Sequence, residues 1–184
     1  MTLVEIRWHG RGGQGAVTAS EIVAKAAITQ GKYAQAFPSF GVERRGAPVE
    51  AFTRIDDNPI YVRSKIYEPD IIVVLDPSLL GPEVVKGLKE GGLMIVNTEK
   101  KPDEVRKAVK REDVKVATVD ATKIALETLK RPIVNTAILG AFVRATGLVN
   151  LDVLLEAVKE KVPPRTIEAN LEAVKRAYQE VIIG

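Results

Sequence analysis

The tightest constraint in this sequence is the glycine run Gly10-Arg11-Gly12-Gly13-Gln14-Gly15, set between a strand-like and a helix-like segment. Residues 4–8 alternate as a strand does, and residues 16–30 carry apolar side chains at helical spacing, with Gly31 placed to end the helix. Strand, glycine turn and helix in that order form the opening unit of many nucleotide-binding α/β folds. Glycines let the chain turn sharply and let a phosphate approach the backbone amides, while the helix aims its positive dipole end at that anion. The same turn also serves close packing of helix on strand, so the pattern leaves phosphate binding and pure packing both open.

The rest of the chain keeps the strand–helix alternation. Strands are predicted at 33–37, 49–55, 71–75, 93–97 and, as the last one, 114–119; the run Ile71-Ile72-Val73-Val74-Leu75 suits a strand buried on both faces. Asp56-Asp57-Asn58-Pro59 predicts a turn joining 49–55 to a further strand at 60–64, an antiparallel hairpin. Residues 79–89 read as a short helix interrupted by glycines, and 102–111 as another. Beyond Ala121 the pattern is helical, with apolar faces over 134–146, 151–161 and 166–183. The expectation is an α/β, Rossmann-like three-layer domain spanning 1–184 as one unit, with a mostly parallel sheet, an antiparallel hairpin and a helical C-terminal third.

Composition narrows the chemistry. With no cysteine, the chain cannot supply thiolates to an iron–sulfur cluster or zinc site, and with one histidine no His-based metal site is expected. A net charge of +3, with acids and bases interleaved, favours a mixed solvated surface over a nucleic-acid stripe. The apolar runs are far shorter than the roughly 20 residues a membrane span needs, so a soluble cytoplasmic protein is expected.

A second constellation is the segment Ser39, Gly41, Glu43, Arg44, Arg45 and Gly46, which has neither helical nor strand periodicity. Adjacent guanidinium groups suit a phosphate, a carboxylate or an acidic partner surface; an exposed charged turn, with Glu43 neutralising one arginine, is the alternative. Gln14 and Ser39 are candidates for neutral hydrogen bonds to the same ligand. His9 stands where a general base could act, but a lone histidine there more often fills a structural role. Asp76 and Asp120, closing two strands, are expected to cap the turn or helix immediately after each. A nicotinamide site is disfavoured, because residues 33–37 offer no acid for ribose hydroxyls.

Taken together, residues 9–18 (HGRGGQGAVT) and 34–48 (AQAFPSFGVERRGAP) closely resemble the gamma subunit of pyruvate/2-ketoisovalerate (2-oxoacid):ferredoxin oxidoreductases. The resemblance implies a subunit of a pyruvate synthase type enzyme (EC 1.2.7.1), without catalytic or metal-binding residues of its own and not catalytic alone. In such a complex a 2-oxoacid is decarboxylated on thiamine diphosphate with Mg, electrons pass through [4Fe-4S] clusters to ferredoxin, and the acyl group goes to coenzyme A. Alpha, beta and delta type subunits are the implied partners; nucleic acid and membrane are not. Gly10, Gly12, Gly13, Gln14, Gly15, Ser39, Gly41, Glu43, Arg44, Arg45 and Gly46 are the residues placed near coenzyme A. The rivals are a purely structural assembly subunit and a free-standing flavodoxin-like nucleotide binder.

Overall fold

The structure is a computed structural model and describes residues 2–39 and 44–184. Its centre is a seven-stranded sheet in the order β2-β3-β1-β4-β5-β6-β7. β1 (Val4–Arg11), β4 (Ile71–Val74), β5 (Leu93–Asn97) and β6 (Lys115–Val119) run parallel as neighbours. β3 (Pro48–Asp56) lies antiparallel between β1 and β2 (Tyr33–Pro38), and the two-residue β7 (Ile182–Ile183) closes the far edge antiparallel to β6.

The expected fold class is borne out, and each departure has a physical cause. The antiparallel partner of β3 is β2, not residues 60–64, which form no strand. The buried guanidinium of Arg54 explains part of this, because it donates to the Ser64 carbonyl at 2.6 Å and holds that segment under the sheet through a side chain rather than a ladder. The helix expected over 79–89 is a 3-10 turn, Pro77–Leu79, followed by successive tight turns. Gly81-Pro82 and Gly87, the latter in the left-handed region, stop any α-helical ladder from propagating there. The final helix ends at Glu180, and the two isoleucines that continued its apolar pattern pair with the edge of β6 instead.

Two apolar layers flank the sheet. On one face pack α1 (Ala16–Thr29), α3 (Ala121–Thr128), α4 (Ala137–Thr146), α5 (Leu151–Lys161) and α6 (Ile167–Glu180), around a core that includes Ile6, Trp8, Ile138, Phe142, Leu154 and Val174. Trp8 anchors it: its ring lies 5.5 Å from Phe142, and its Nε1–H donates to the Thr53 hydroxyl, which donates to the Ser20 carbonyl. The other face is covered by α2 (Pro102–Val109) and the turns after β4, around Ile72, Val74, Met94, Val105 and Val116. The chain therefore leaves β1 towards the first layer and leaves β4 towards the second. The crevice between their carboxyl ends is a topological switch point, where open α/β sheets hold their ligands.

Candidate functional site at the switch point

The glycine loop forms one lip of this crevice, and its neighbours fix its shape. Gly12 forms a bridge to Arg45: its N–H donates to the Ala47 carbonyl at 2.8 Å, and its carbonyl accepts from the Gly46 N–H at 3.1 Å. A Cβ on Gly12 would run into the Arg44 carbonyl, so glycine is required here by contact. Gly15 needs glycine twice over, for its φ of 82° and because a Cβ would collide with the Asn135 side chain. Two motifs some 30 residues apart in sequence are thus one surface, the association the sequence could only suggest.

Gln14 is the latch. Its Oε1 accepts from the Arg11 N–H at 2.6 Å, and its Nε2 donates to Asp76 at 2.7 Å, which joins the glycine loop to the end of β4. Arg11 adds a second strap: its guanidinium donates to the Ser78 hydroxyl and to the Gly46 carbonyl and lies 3.5 Å from the Asp76 carboxylate. Partial burial pulls the Asp76 pKa upward, but hydrogen bonds from Ser78 and Gln14 and the Arg11 charge outweigh it and hold the carboxyl below its ordinary range. Both amide atoms of Gln14 are therefore engaged within the chain. Arg11 and Ser78 were not singled out from the sequence; the available signal was a basic residue inside the glycine loop and a serine just after the Asp-Pro that ends β4.

The loop's anion-binding capacity is concentrated at the helix. The Gly12 and Gln14 amides are taken by the Ala47 and Arg11 carbonyls, the latter at 3.0 Å. The first turn of α1 is open: Gly15 at its N-cap gives no side-chain cap, and no acidic residue stands in that turn. Arg44 and Arg45 are exposed, and among the described residues no side chain engages either guanidinium. Ser39 sits past the end of β2, its N–H donating to the Glu50 carbonyl at 2.9 Å. Gly41 and Glu43 lie outside the described residues.

His9 takes the structural role. Its Nε2 accepts from the Arg7 Nε–H at 2.8 Å, which puts the ring proton on Nδ1. Burial, and then the Arg7 and Lys65 charges, push its pKa down to about 3, so it is a neutral ring across the ordinary pH range. Arg7 also donates to the Val84 and Lys86 carbonyls. Asp120 caps α3 by accepting from the Lys123 N–H at 3.0 Å, as expected of it. Asn97 at the end of β5 escaped notice, although its amide bonds the Leu75 carbonyl, Thr122 and the Ala121 N–H at the root of α3. Among the described residues no group of acids and histidine is placed to hold a metal ion, and no helix is long and apolar enough to cross a membrane.

Known proteins resemble this chain along almost its whole length. Residues 5–180 match the family model described as pyruvate ferredoxin/flavodoxin oxidoreductase. The common subunit gamma of the pyruvate/ketoisovalerate oxidoreductases of Thermococcus kodakarensis is 58% identical over 182 residues, covering 98% of each chain. The crystal structure of the pyruvate oxidoreductase subunit PORC from Thermotoga maritima superposes with a TM-score of 0.89 at 45% identity, over 100% of this chain and 99% of that one. At 20% identity the fold recurs, with a TM-score of 0.76, within 31% of a longer chain, a 2-oxoglutarate:ferredoxin oxidoreductase from Magnetococcus marinus solved with 2-oxoglutarate, coenzyme A and succinyl-CoA bound. The resemblance drawn from the glycine loop and the arginine segment is thereby borne out. The chain belongs to the pyruvate ferredoxin/flavodoxin oxidoreductase family, among the gamma-type subunits of its 2-oxoacid oxidoreductase complexes.

Proposed function

We propose that this chain, as one domain in a cytoplasmic complex, supplies the wall of a coenzyme A site that other subunits complete. The observation that carries this reading is the union of the two motifs. The bridge between Gly12 and Arg45 sets two guanidiniums, unengaged among the described residues, beside the open first turn of α1 at the switch point of the sheet. Phosphates are matched by guanidinium forks and by helix N-terminal amides together, and coenzyme A carries several. Gly10, Gly13, Gln14 and Arg11 would act by shaping the loop. Ser39, Gly41, Glu43 and Gly46 belong to the same candidate surface.

Thiamine diphosphate, Mg and [4Fe-4S] clusters would then belong to alpha, beta and delta type chains, with ferredoxin as acceptor, since this sequence has no cysteine to ligate a cluster. In the reaction this chain's part is to bind and orient the acyl acceptor and to exclude water around its phosphates, with no proton moved by its own residues. In the assembled enzyme, Arg45→Ala should raise the apparent KM for coenzyme A about 10-fold, the scale of one lost charge-assisted hydrogen bond, and leave that for the 2-oxoacid nearly unchanged. An unaltered coenzyme A dependence would remove the assignment and favour a subunit whose loops serve assembly alone.

A further inference from the structure

The sheet ends at β2, and the outer side of that strand is unpaired. The Ser39 N–H donates to the Glu50 carbonyl, and from there one continuous antiparallel register turns the backbone groups of Tyr33, Gln35 and Phe37 inward to β3. Ala34 and Ala36 therefore point their N–H and C=O groups outward, where no strand receives them among the described residues. Pro38, the next outward position, has no N–H to leave unpaired. Edge strands are ordinarily blunted by a charge, a bulge or a covering element. β2 has no charged residue, and it pairs with β3 residue for residue along its length. Two large apolar side chains stand open at this edge, Ile28 near the end of α1 and Tyr33, 53% and 48% exposed.

We propose that this edge takes a second copy of the chain, β2 lying antiparallel to its own copy about a two-fold axis at Gln35. The register closes on itself. Ala34 of each copy faces Ala36 of the other, and the two pairs exchange N–H···O=C bonds that use every outward donor of the strand. Pairing stops there, because the Lys32 N–H already donates to the Ala27 carbonyl. Gln35 meets its own copy in a non-hydrogen-bonded pair, and Tyr33 meets Phe37 across the junction on the same face, an aromatic cross-strand pair. With no charge in the strand, the symmetry brings no like charges of β2 together. The helices fit as well. Because α1 packs on both β2 and β3, its axis runs between them. With strands roughly 4.8 Å apart, the two α1 axes lie about 10 Å apart on one face, the spacing at which helices pack. An unrelated strand would satisfy the same backbone groups but brings no such helix to the other side of the junction.

The chain has no cysteine, so a single introduced thiol reports this junction without background. Under mild oxidation of the full chain, Gln35→Cys should form a disulfide-linked dimer, since residues facing each other in a non-hydrogen-bonded pair lie about 4.5 Å apart at Cα. Tyr33→Cys, at a more exposed position, should give little, because its copy lies four residues along the strand, about 14 Å away and beyond disulfide reach. In sedimentation equilibrium the unaltered chain should show a concentration-dependent exchange between monomer and dimer. Ala36→Pro removes one outward donor from each copy and no hydrogen bond within the chain, and should raise the dissociation constant about 10- to 100-fold. Equal cross-linking at both cysteines, or a dimer that Ala36→Pro leaves intact, would place the contact elsewhere and overturn the proposal. So would a chain that stays monomeric and does not cross-link in Gln35→Cys; if Ala36→Pro then weakened assembly with the other subunits, the edge would belong to a strand of one of them.

Discussion

At the scale of single residues, the carboxyl end of β1 shows how a polar side chain is committed by its neighbours. His9 stays neutral first because burial strips an imidazolium of its solvation, and then because protonation would place a third cation beside Arg7 and Lys65, while Glu50, 3.6 Å from Arg7, is already shared. An unfolded histidine titrates near 6.5, so between that value and about 3 the unfolded chain holds a proton that the native chain lacks. This contribution to stability is complete above pH 6.5 and falls as pH drops through the window, by at most about 1.4 kcal/mol per pH unit. His9→Gln, which keeps an acceptor for Arg7, should flatten that part of the profile, read as the difference between the two proteins in urea melts at pH 4, 5 and 7. At Gly12 the effect is steric: Gly12→Ala should cost about 1–3 kcal/mol, because the Arg44 carbonyl must give way. The glycines and arginines of this edge are legible in sequence because their chemistry is local. The latch through Gln14 and Asp76 is not, because its partners lie 62 residues apart.

At the scale of elements, the half of the sheet formed by β2, β3 and β1 is tied on its second face by charge rather than by a helix. Arg54 is 1% exposed and joins three strands: it donates to Glu5 of β1 at 2.8 Å and to Gln35 of β2 at 2.9 Å, and lies over the Phe37 ring. Arg54→Met removes the cation and strands the Glu5 carboxylate, so a loss of about 3–5 kcal/mol is expected in chemical denaturation. Adding Glu5→Leu should recover part of it, since the unpaired acid goes too. Elements with an unbroken pattern were read to the residue, as in β5 and α5. At 60–64 and 182–183 the failures share a cause, tertiary partners that override local preference, whereas at 79–89 the chain's own breakers, Gly81-Pro82 and Gly87, outweigh the apolar spacing.

Across the whole molecule, stability should be uneven, in step with the two layers. The large core under five helices includes Trp8 and Phe142, and the parallel strands are buried on both faces. Residues 59–69, by contrast, cross the open half of the second face without regular structure, and their amides make no backbone hydrogen bond among the described residues. Tyr61 and Tyr67 stand 82% and 70% exposed there, and the segment is held chiefly by the buried Ile66, the carbonyl contact to Arg54 and the Lys65 ammonium over the Phe52 ring. Local opening of such a stretch costs little of the global free energy, because few apolar contacts are lost. In native-state hydrogen exchange, amides of β1, β4, β5 and β6 should exchange only with global unfolding, while those of 59–69 should exchange orders of magnitude faster. Arg54→Met should accelerate 59–69 beyond its effect on global stability, because it cuts the buried guanidinium tie between that segment and the sheet. Equal protection of 59–69 and β4 in the unaltered chain would show that the charged layer clamps this face as firmly as the helices clamp the other.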